Sequence, residues 1–555
     1  YVGFQTPTAL PALVNAEEYM TLSREATEND GGISIYTDDY IAHYRENNFL
    51  DPDAYPITEW QSRLLNGNGL VHNHNLVLTT STDKVRMMTS LGYLDQNGII
   101  RNTDYSRWNL RNNMNVELRH NVHFRFDLSA IYGHRNQIPN QSGVFNFMNA
   151  RDPLMLAQWS DGNYAAFTGG TLNILPMVED GQGGNIKRDN LSLAATMSLS
   201  WEPFKWLTLE GTVSPRFVMN NVHNYTRLVT YYSDAHGTVS NASNAEYGSL
   251  TESSSQSYYG NWQFTATAGR KMGSHDLRVL LGMSYETMNE KTLSGYRRDY
   301  SYPDYDVLNA GAANEFQQAG GARYQWALLS YFGRINYNFR ERYLFEANIR
   351  FDGSSRFAKG HRWGIFPSVS AAWRVTEEKW MAPVKDILTE LKIRASYGQL
   401  GNQNIGSDYY PTIQTLTISS IYAGDQLYPI VGLNTLANED ISWETSEMYD
   451  IGLDLALWNK LTLTADWYRK TTYGILMELD IPQSIGLGAP YQNAGSVRNS
   501  GWELGIDYSD AAGDFNWNVG ANLSDVHNRI IDMKGTTGGS GVIRNQEGNA
   551  INSLY

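Results

Sequence analysis

Hydrophobic and polar positions alternate along most of this chain. Between 191 and 201, Leu191, Leu193, Ala195, Met197, Leu199 and Trp201 fall on one face and Ser192, Ala194, Thr196, Ser198 and Ser200 on the other. Strict alternation marks a strand with one apolar and one polar face. After Glu202-Pro203-Phe204-Lys205 the pattern resumes with Leu207, Leu209, Gly211 and Val213 against Thr208, Glu210 and Thr212, which predicts an antiparallel hairpin. Similar segments recur: Phe124 to Tyr132, Leu277 to Tyr285, Phe345 to Phe351, Ile451 to Leu457, Leu461 to Trp467, Trp502 to Tyr508 and Phe515 to Leu523. Together they read as about eight hairpins plus an opening strand near Tyr1, roughly 17 strands of the ~10-residue class.

The connections sort into two kinds. Within hairpins they are short, as at Thr82-Asp83-Lys84, Arg119-His120-Asn121 and Trp458-Asn459-Lys460; between hairpins they are long and polar, as at 133–190, 218–258, 287–325 and 399–445. Long loops on one side and short turns on the other is the asymmetry of an outer-membrane barrel, and a soluble sandwich has no reason to sort its loops this way. Ten residues at ~3.3 Å each, tilted ~45°, rise about 23 Å, close to the ~25 Å apolar band such barrels present to lipid. Trp201, Trp206, Trp458 and Tyr343 stand at strand ends beside the short turns, where an interfacial aromatic girdle belongs. The fold class is therefore all-β: a large antiparallel transmembrane barrel. Two short helices are also expected: Asn15 to Ala26, with an Asn cap and Glu18 three residues on, and a segment after Thr376 on the short-turn side.

Composition narrows the picture. The 555 residues contain no unbroken apolar run of the ~18 or more that a membrane helix needs. Cysteine is absent, which excludes a disulfide framework, a zinc–thiolate cluster and a thiol nucleophile. The net charge of −15 has the wrong sign for wrapping nucleic acid and mildly disfavours strongly anionic cargo. Tyr1 stands within a strand pattern with no leader before it, so the chain reads as part of a longer polypeptide.

Residues 350–375 (RFDGSSRFAKGHRWGIFPSVSAAWRV), followed by EEKWM and LKIRASYGQLGNQNIG, resemble the signature region of the SusC/RagA-type TonB-dependent transporters of Bacteroidetes outer membranes. NHNLVLTTSTDKVRMMTSLGYLDQNGII, WETSEMYDIGLDLAL, DWYRKTTYGIL and NAGSVRNSGWELGIDY are similar to the same family in the same order. The resemblance implies a barrel of roughly 22 strands, with residues 1–555 as its barrel domain and further strands after Tyr555. It also implies an N-terminal plug and TonB box outside this sequence, a SusD-like surface lipoprotein as lid, and energy from TonB–ExbB–ExbD. The expected activity is active import of oligosaccharides or, as in some members, of oligopeptides, across the outer membrane and without enzymatic chemistry. A passive porin or adhesin barrel and a soluble glycan-degrading enzyme are the readings from other classes.

Transport calls for aromatic platforms and adaptable polar groups. The long loops offer Trp159, Tyr164, Tyr225, Tyr231, Tyr232, Tyr296, Tyr300, Tyr302 and Tyr305 as candidate cargo contacts. His72 and His74 share a strand face but are too few for a metal. Asp51, Asp53, Asp304, Asp306 and the DGQGGN segment at 180–185 could hold structural calcium in the loops, without the spacing of a calcium loop. No other cofactor is expected. Asp454 and Glu503 could pair across strands, and polar lumen lining accounts for them.

Overall fold

The computed structural model describes the chain except for residues 168–171, 241–242, 407–408, 425, 480, 537–541 and 555. Strand β1 (Val2–Gln5) is followed by the pairs β2 (Gly69–Ser81) and β3 (Val85–Asn97), β4 (Asp104–Arg119) and β5 (Val122–Gln137), β6 (Gly184–Phe204) and β7 (Leu207–Thr226), and β8 (Ser249–Met272) and β9 (His275–Arg298). Then come β10 (Gln318–Phe339) with β11 (Tyr343–Ser354), β12 (Trp363–Arg374) with β13 (Leu388–Asn402), and a loop hairpin of β14 (Leu416–Ala423) and β15 (Gln426–Leu433). The wall ends with β16 (Glu444–Leu457), β17 (Leu461–Glu478), β18 (Tyr491–Ala512) and β19 (Phe515–Asp532). Leaving out the loop hairpin, these form one 17-stranded sheet in which each strand pairs antiparallel with its neighbours in the chain. The strand count, the hairpin topology and the split into short turns and long loops all match the expectation.

Register shows why the alternation matters. Tyr343, Trp373, Ile393, Leu453, Ala465, Leu504 and Leu523 sit directly opposite one another across β11 to β19, an apolar row on one face. One residue along, Leu344, Ala372, Arg394, Gly452, Asp466, Glu503 and Ser524 form a largely polar row on the other. A slip of one residue would exchange the two faces, so lipid on one side and water on the other fix the register throughout. The apolar face is the outer one, and exposed Trp201, Trp206, Trp458 and Tyr343 ring its short-turn end as expected. Two turns are tight, with Arg340 and Glu341 both at φ 57°, and Trp458 and Asn459 at 54° and 55°, the left-handed pair whose twist suits adjoining strands.

Three features differ from the sequence reading. Several strands are about twice the expected length: β8 and β9 each have 24 residues. At ~3.3 Å per residue and ~45° tilt, such a strand rises about 56 Å, so more than half stands beyond the apolar band. Periodicity found only the membrane part, because outside it both faces meet water. Second, the segment after Thr376 forms 3₁₀ turns, Val375–Glu377 and Lys379–Val384, instead of an α-helix, with Pro383 inside the second. Third, beyond the predicted helix α1 (Ala16–Asn29), whose Asn15–Glu18 capping box is formed, the loops contain α2 (Asp38–Asn47), α3 (Trp60–Leu64), α4 (Gln141–Ala150) and α5 (Leu175–Val178).

The main buried core lies in these loops. Trp60, Leu64, Leu65, Ile100, Ile138, Val144, Met148, Ala157, Ile174, Leu175 and Val178 pack together from three connections. Trp60 Nε1 donates to the Asp152 carbonyl at 3.1 Å and its ring meets Phe167 edge-on at 5.9 Å. This cap closes over the long-loop rim of β2 to β8.

Among the described residues no strand pairs with β19 beyond β18, only Ile530 near its end bonding the backbone of Gly548 and Asn549, and β1 covers only Gly69–His72 of β2. Nearly every side chain of β19 is exposed on both faces.

Candidate functional site

Most aromatics on the wall are in phase with the lipid face, but several are out of phase and point inward, and three of these, Tyr259, Tyr324 and Trp326, cluster together. They belong to a ladder across β8, β9 and β10: Asn261–Glu286–Leu328, Tyr259–Met288–Trp326 and Ser257–Glu290–Tyr324. On the outer face at this height stands Tyr285, the last member of the Leu277 to Tyr285 apolar stretch. The ladder therefore lies just outside the membrane band, on the inner wall toward the long loops.

Local bonds hold it in place. Tyr259 Oη donates to Glu286 Oε2 at 2.7 Å, Ser255 Oγ to Glu290 Oε1 at 3.2 Å, and Trp326 Nε1 meets Met288 Sδ at 3.2 Å. Tyr259 and Trp326 have ring centroids 6.4 Å apart. From the loop after β13, Tyr409 stacks on Tyr324 at 4.9 Å and 20°, and Tyr410 Oη donates to the Gln325 carbonyl at 2.7 Å. The Arg356 guanidinium lies 4.8 Å from the Tyr409 ring centre and 5.5 Å from that of Trp326. Arg356 is 7% exposed, and burial lowers its pKa from the ordinary guanidinium value. Its Nη1 reaches Gln403 O and Asn404 Oδ1 at 3.4 Å, while its Nε–H is buried without a partner among the described residues. The wall thus offers flat rings and two carboxylates in a half-open setting, held from behind by the buried Arg356 guanidinium. It can stack and hydrogen-bond an oligomer and carries no nucleophile aligned with a base.

Below it the inner wall is closed by ion pairs. Arg350 reaches Asp352 at 2.6 Å and Ser330 Oγ at 2.9 Å. Arg394 is shared among Asp466 at 2.6 Å, Asp454 at 3.3 Å and Asp450 at 3.4 Å, and Lys392 holds Asp454 at 3.0 Å. Asp454 is occupied in this way, and Glu503 shares its row with Asp466, so the two do not form an acid–base pair.

The aromatics singled out in the loops take several places. Tyr231 is 1% exposed and donates to the Asn173 carbonyl at 2.9 Å. Tyr164 packs beside it and donates to Glu179. Burial is the main cause of the raised pKa of both phenols. Trp159 Nε1 donates to the Tyr232 carbonyl at 2.9 Å, fastening two loops together. Tyr225, 3% exposed, donates to the Pro303 carbonyl at 2.6 Å and meets Tyr300 edge-on at 5.4 Å. Burial pushes the Tyr300 phenol up to about 12. The 299–317 loop folds against Tyr225, His223 and Gly295, which share the outward phase, so exposed Tyr302 and Tyr305 sit outside the wall. Tyr296 alone of the nine falls on an inward strand position.

The acidic loop residues have protein partners. Asp53 accepts from Ser160 N and Oγ at 2.9 and 2.6 Å, Asp304 pairs with Arg227 at 2.9 Å, and Asp306 with His223 at 3.1 Å. His72 and His74, their rings 5.3 Å apart, lie on the outer face. Among the described residues no three such groups converge as metal ligands.

The loop aromatics alone give no sign of the ladder. The available signal was phase: an aromatic at an otherwise polar position of an alternating strand needs a reason other than lipid.

Residues 156–552 match the family model described as TonB dependent receptor-like, beta-barrel. TonB-dependent receptor P26 of Formosa agariphila is 26% identical over 548 residues, 96% of this chain and 52% of its own length. TonB-dependent receptor SusC of Bacteroides thetaiotaomicron is 26% identical over 511 residues, 86% of this chain and 49% of its own length. The chain thus spans about half the length of the relatives it matches. Among solved structures, the RagAB peptide transporter superposes with a TM-score of 0.80 at 18% identity, covering 100% of this chain and 63% of that one. The RagAB peptide importer in its open-open state gives 0.81 at the same identity, with 62% of that chain covered.

Proposed function

This chain belongs to the TonB-dependent receptor-like β-barrel family, and from that premise we propose that it is the barrel of an energised outer-membrane importer of oligopeptides. The observation that carries the reading is the inner ladder of Tyr259, Trp326 and Tyr324 with Glu286 and Glu290. Rings that stack and carboxylates that accept backbone N–H groups suit an extended peptide. The likeness in fold to a peptide importer supports the same class. Stacking faces such as the Tyr324–Tyr409 pair also suit sugar rings, which keeps oligosaccharides as the second reading.

The proposal includes what completes the barrel. Unpaired backbone groups in hydrocarbon cost several kcal/mol each, so the free edges of β2 and β19 are closed by further strands. A plug carrying a TonB-contacting box fills the lumen, and TonB–ExbB–ExbD supplies the energy. The hairpin β14–β15 gives a SusD-like lipoprotein an apolar ledge: Leu416, Ile418, Tyr422 and Val431 share one face and are 65, 77, 74 and 62% exposed. Contiguous exposed apolar surface of this kind marks an interaction site.

The test is uptake by cells carrying the full-length protein, with and without TonB, of a labelled peptide digest and a labelled neutral oligosaccharide mixture. TonB-dependent peptide uptake is expected. Oligosaccharide uptake alone would replace the cargo, and uptake independent of TonB would replace the importer with a porin.

A further inference from the structure

Inward-facing charge is unevenly distributed around the wall. On β4 to β7, the directly opposed residues Arg111, Ser129, Ala194 and Arg216 form one row, and above it the phase brings Arg107, Arg135 and Arg188 inward. From that row toward the long loops, the inward positions of these four strands hold five arginines and no carboxylate. Arg135 and Arg188 are direct cross-strand partners, an arrangement that like charges disfavour unless an anion lies between them. Arg125, lower on the same wall, is ion-paired with Asp127 at 2.6 Å. The five above it have no such pair among the described residues. Arg111 and Arg188 turn one N–H to the amides of Asn113 and Gln137 at 3.3 and 3.1 Å. Arg107 keeps a buried Nε–H without a partner, and Arg111, Arg135, Arg188 and Arg216 are exposed to the lumen. On the other side of the sheet order, by contrast, Arg394 and Lys392 are spent on three aspartates.

We infer that this arginine wall is a cargo-binding surface for acidic oligopeptides. The inference rests on the peptide-importer reading and adds the selectivity. A guanidinium offers a planar fork that takes a carboxylate through two hydrogen bonds. Positions four residues apart on one strand, such as Arg107 and Arg111, stand about 13 Å apart. That spacing suits carboxylates on an extended chain, four residues apart. The net charge of −15 hides this wall, because the carboxylates are elsewhere and most of those near arginines on the inner face are already paired.

The test uses the full-length transporter in detergent with its co-purifying lipoprotein. Binding is measured for three nine-residue peptides that differ only at positions 1, 5 and 9, which are Glu, Gln or Lys. The Glu peptide should bind at least about tenfold more tightly than the Gln peptide, and the preference should shrink at high salt. The double variants R111Q/R216Q and R135Q/R188Q should each remove most of the preference, weakening the Glu peptide severalfold more than the Gln peptide. The charge-keeping R135K/R188K should retain part of it. Equal affinity for the Glu and Gln peptides would overturn the inference and leave the importer reading standing, since neutral peptide would still be bound. A preference untouched in both glutamine variants would overturn the assignment to this wall, and so would a change confined to ion leakage through the barrel, which would point to contacts with a plug. TonB-dependent uptake of the Gln peptide in cells tests the importer reading separately.

Discussion

The barrel wall and the loop cap solve the burial problem in opposite ways. In the cap, Trp60, Leu64, Met148 and Leu175 are at most 2% exposed to water and form an ordinary apolar interior. In the wall, Leu281, Ile393, Ile451 and Leu523 are 64, 43, 56 and 61% exposed, and the polar residues lie inside. The same residue types serve both regions because the solvent differs. Water drives the cap's side chains together, whereas lipid accepts the wall's outer face and backbone hydrogen bonding makes the wall continuous. A polar-lined interior follows from the second arrangement alone.

The sharpest break falls on the cap. Trp60→Ala removes a buried indole that joins the first loop to the 138–183 connection, and it should cost ~3–5 kcal/mol of local stability. Early proteolytic cleavage of these loops with an intact barrel is the expected readout. In the wall, Leu453→Arg places a charge in the apolar row beside Ile393 and Ala465. It should cost up to ~2–4 kcal/mol, the mid-bilayer value for a lipid-facing charge, read by vesicle folding titrations, and a stabilising or neutral result would contradict the facing assigned to β16. Comparing one substitution in both regions sharpens the contrast. Leu64→Ala should cost ~2–5 kcal/mol because it leaves a cavity. Leu453→Ala should cost only about 1–2 kcal/mol, since lipid fills the space and the transfer part alone remains.

The smallest effect concerns pH at the short-turn side. Lys385 at 3.0 Å is the chief cause of the lowered pKa of Glu377, and the Tyr343 hydroxyl at 2.6 Å that of Glu378, with Trp373 and Arg342 adding to the latter. Depressed carboxylates stabilise the folded form fully above their unfolded value of about 4.3, and the contribution is lost as pH falls through the lower folded values. The protection factors for amide exchange in residues 375–387, taken relative to the intrinsic rate at each pH, should therefore be unchanged from pH 8 to pH 5 and fall below about pH 4. In Glu377→Gln/Glu378→Gln the fall should be absent.

How legible each region was follows from the same physics. The wall could be read because a membrane imposes alternation: Leu277 to Tyr285 declares a strand, and the register follows. Its extension past Tyr285 was hidden, since Thr287 outside and Glu290 inside both meet water. In the cap, helix α1 was found through its Asn15–Glu18 box, while α2 was missed although Thr37 caps the Tyr40 N–H and Asp38 and Asp39 fill the first turn. The inner ladder was legible in principle, because Trp326 and Tyr259 are out of phase with the apolar face. Its closure by Tyr409 and Arg356 was not, since these come from separate loops and meet only in three dimensions.

The central claim is that the two phases of the alternating wall face opposite environments, with Tyr285 on β9 turned to lipid and Tyr324 on the neighbouring β10 turned to the lumen. The chain has no cysteine, so single replacements Tyr285→Cys and Tyr324→Cys in the full-length protein in vesicles report each face cleanly. A water-soluble thiol reagent should label position 324 and spare 285, and added peptide cargo should slow the labelling at 324 severalfold. Equal labelling of both positions, or labelling at 324 that cargo leaves unchanged, would contradict the account.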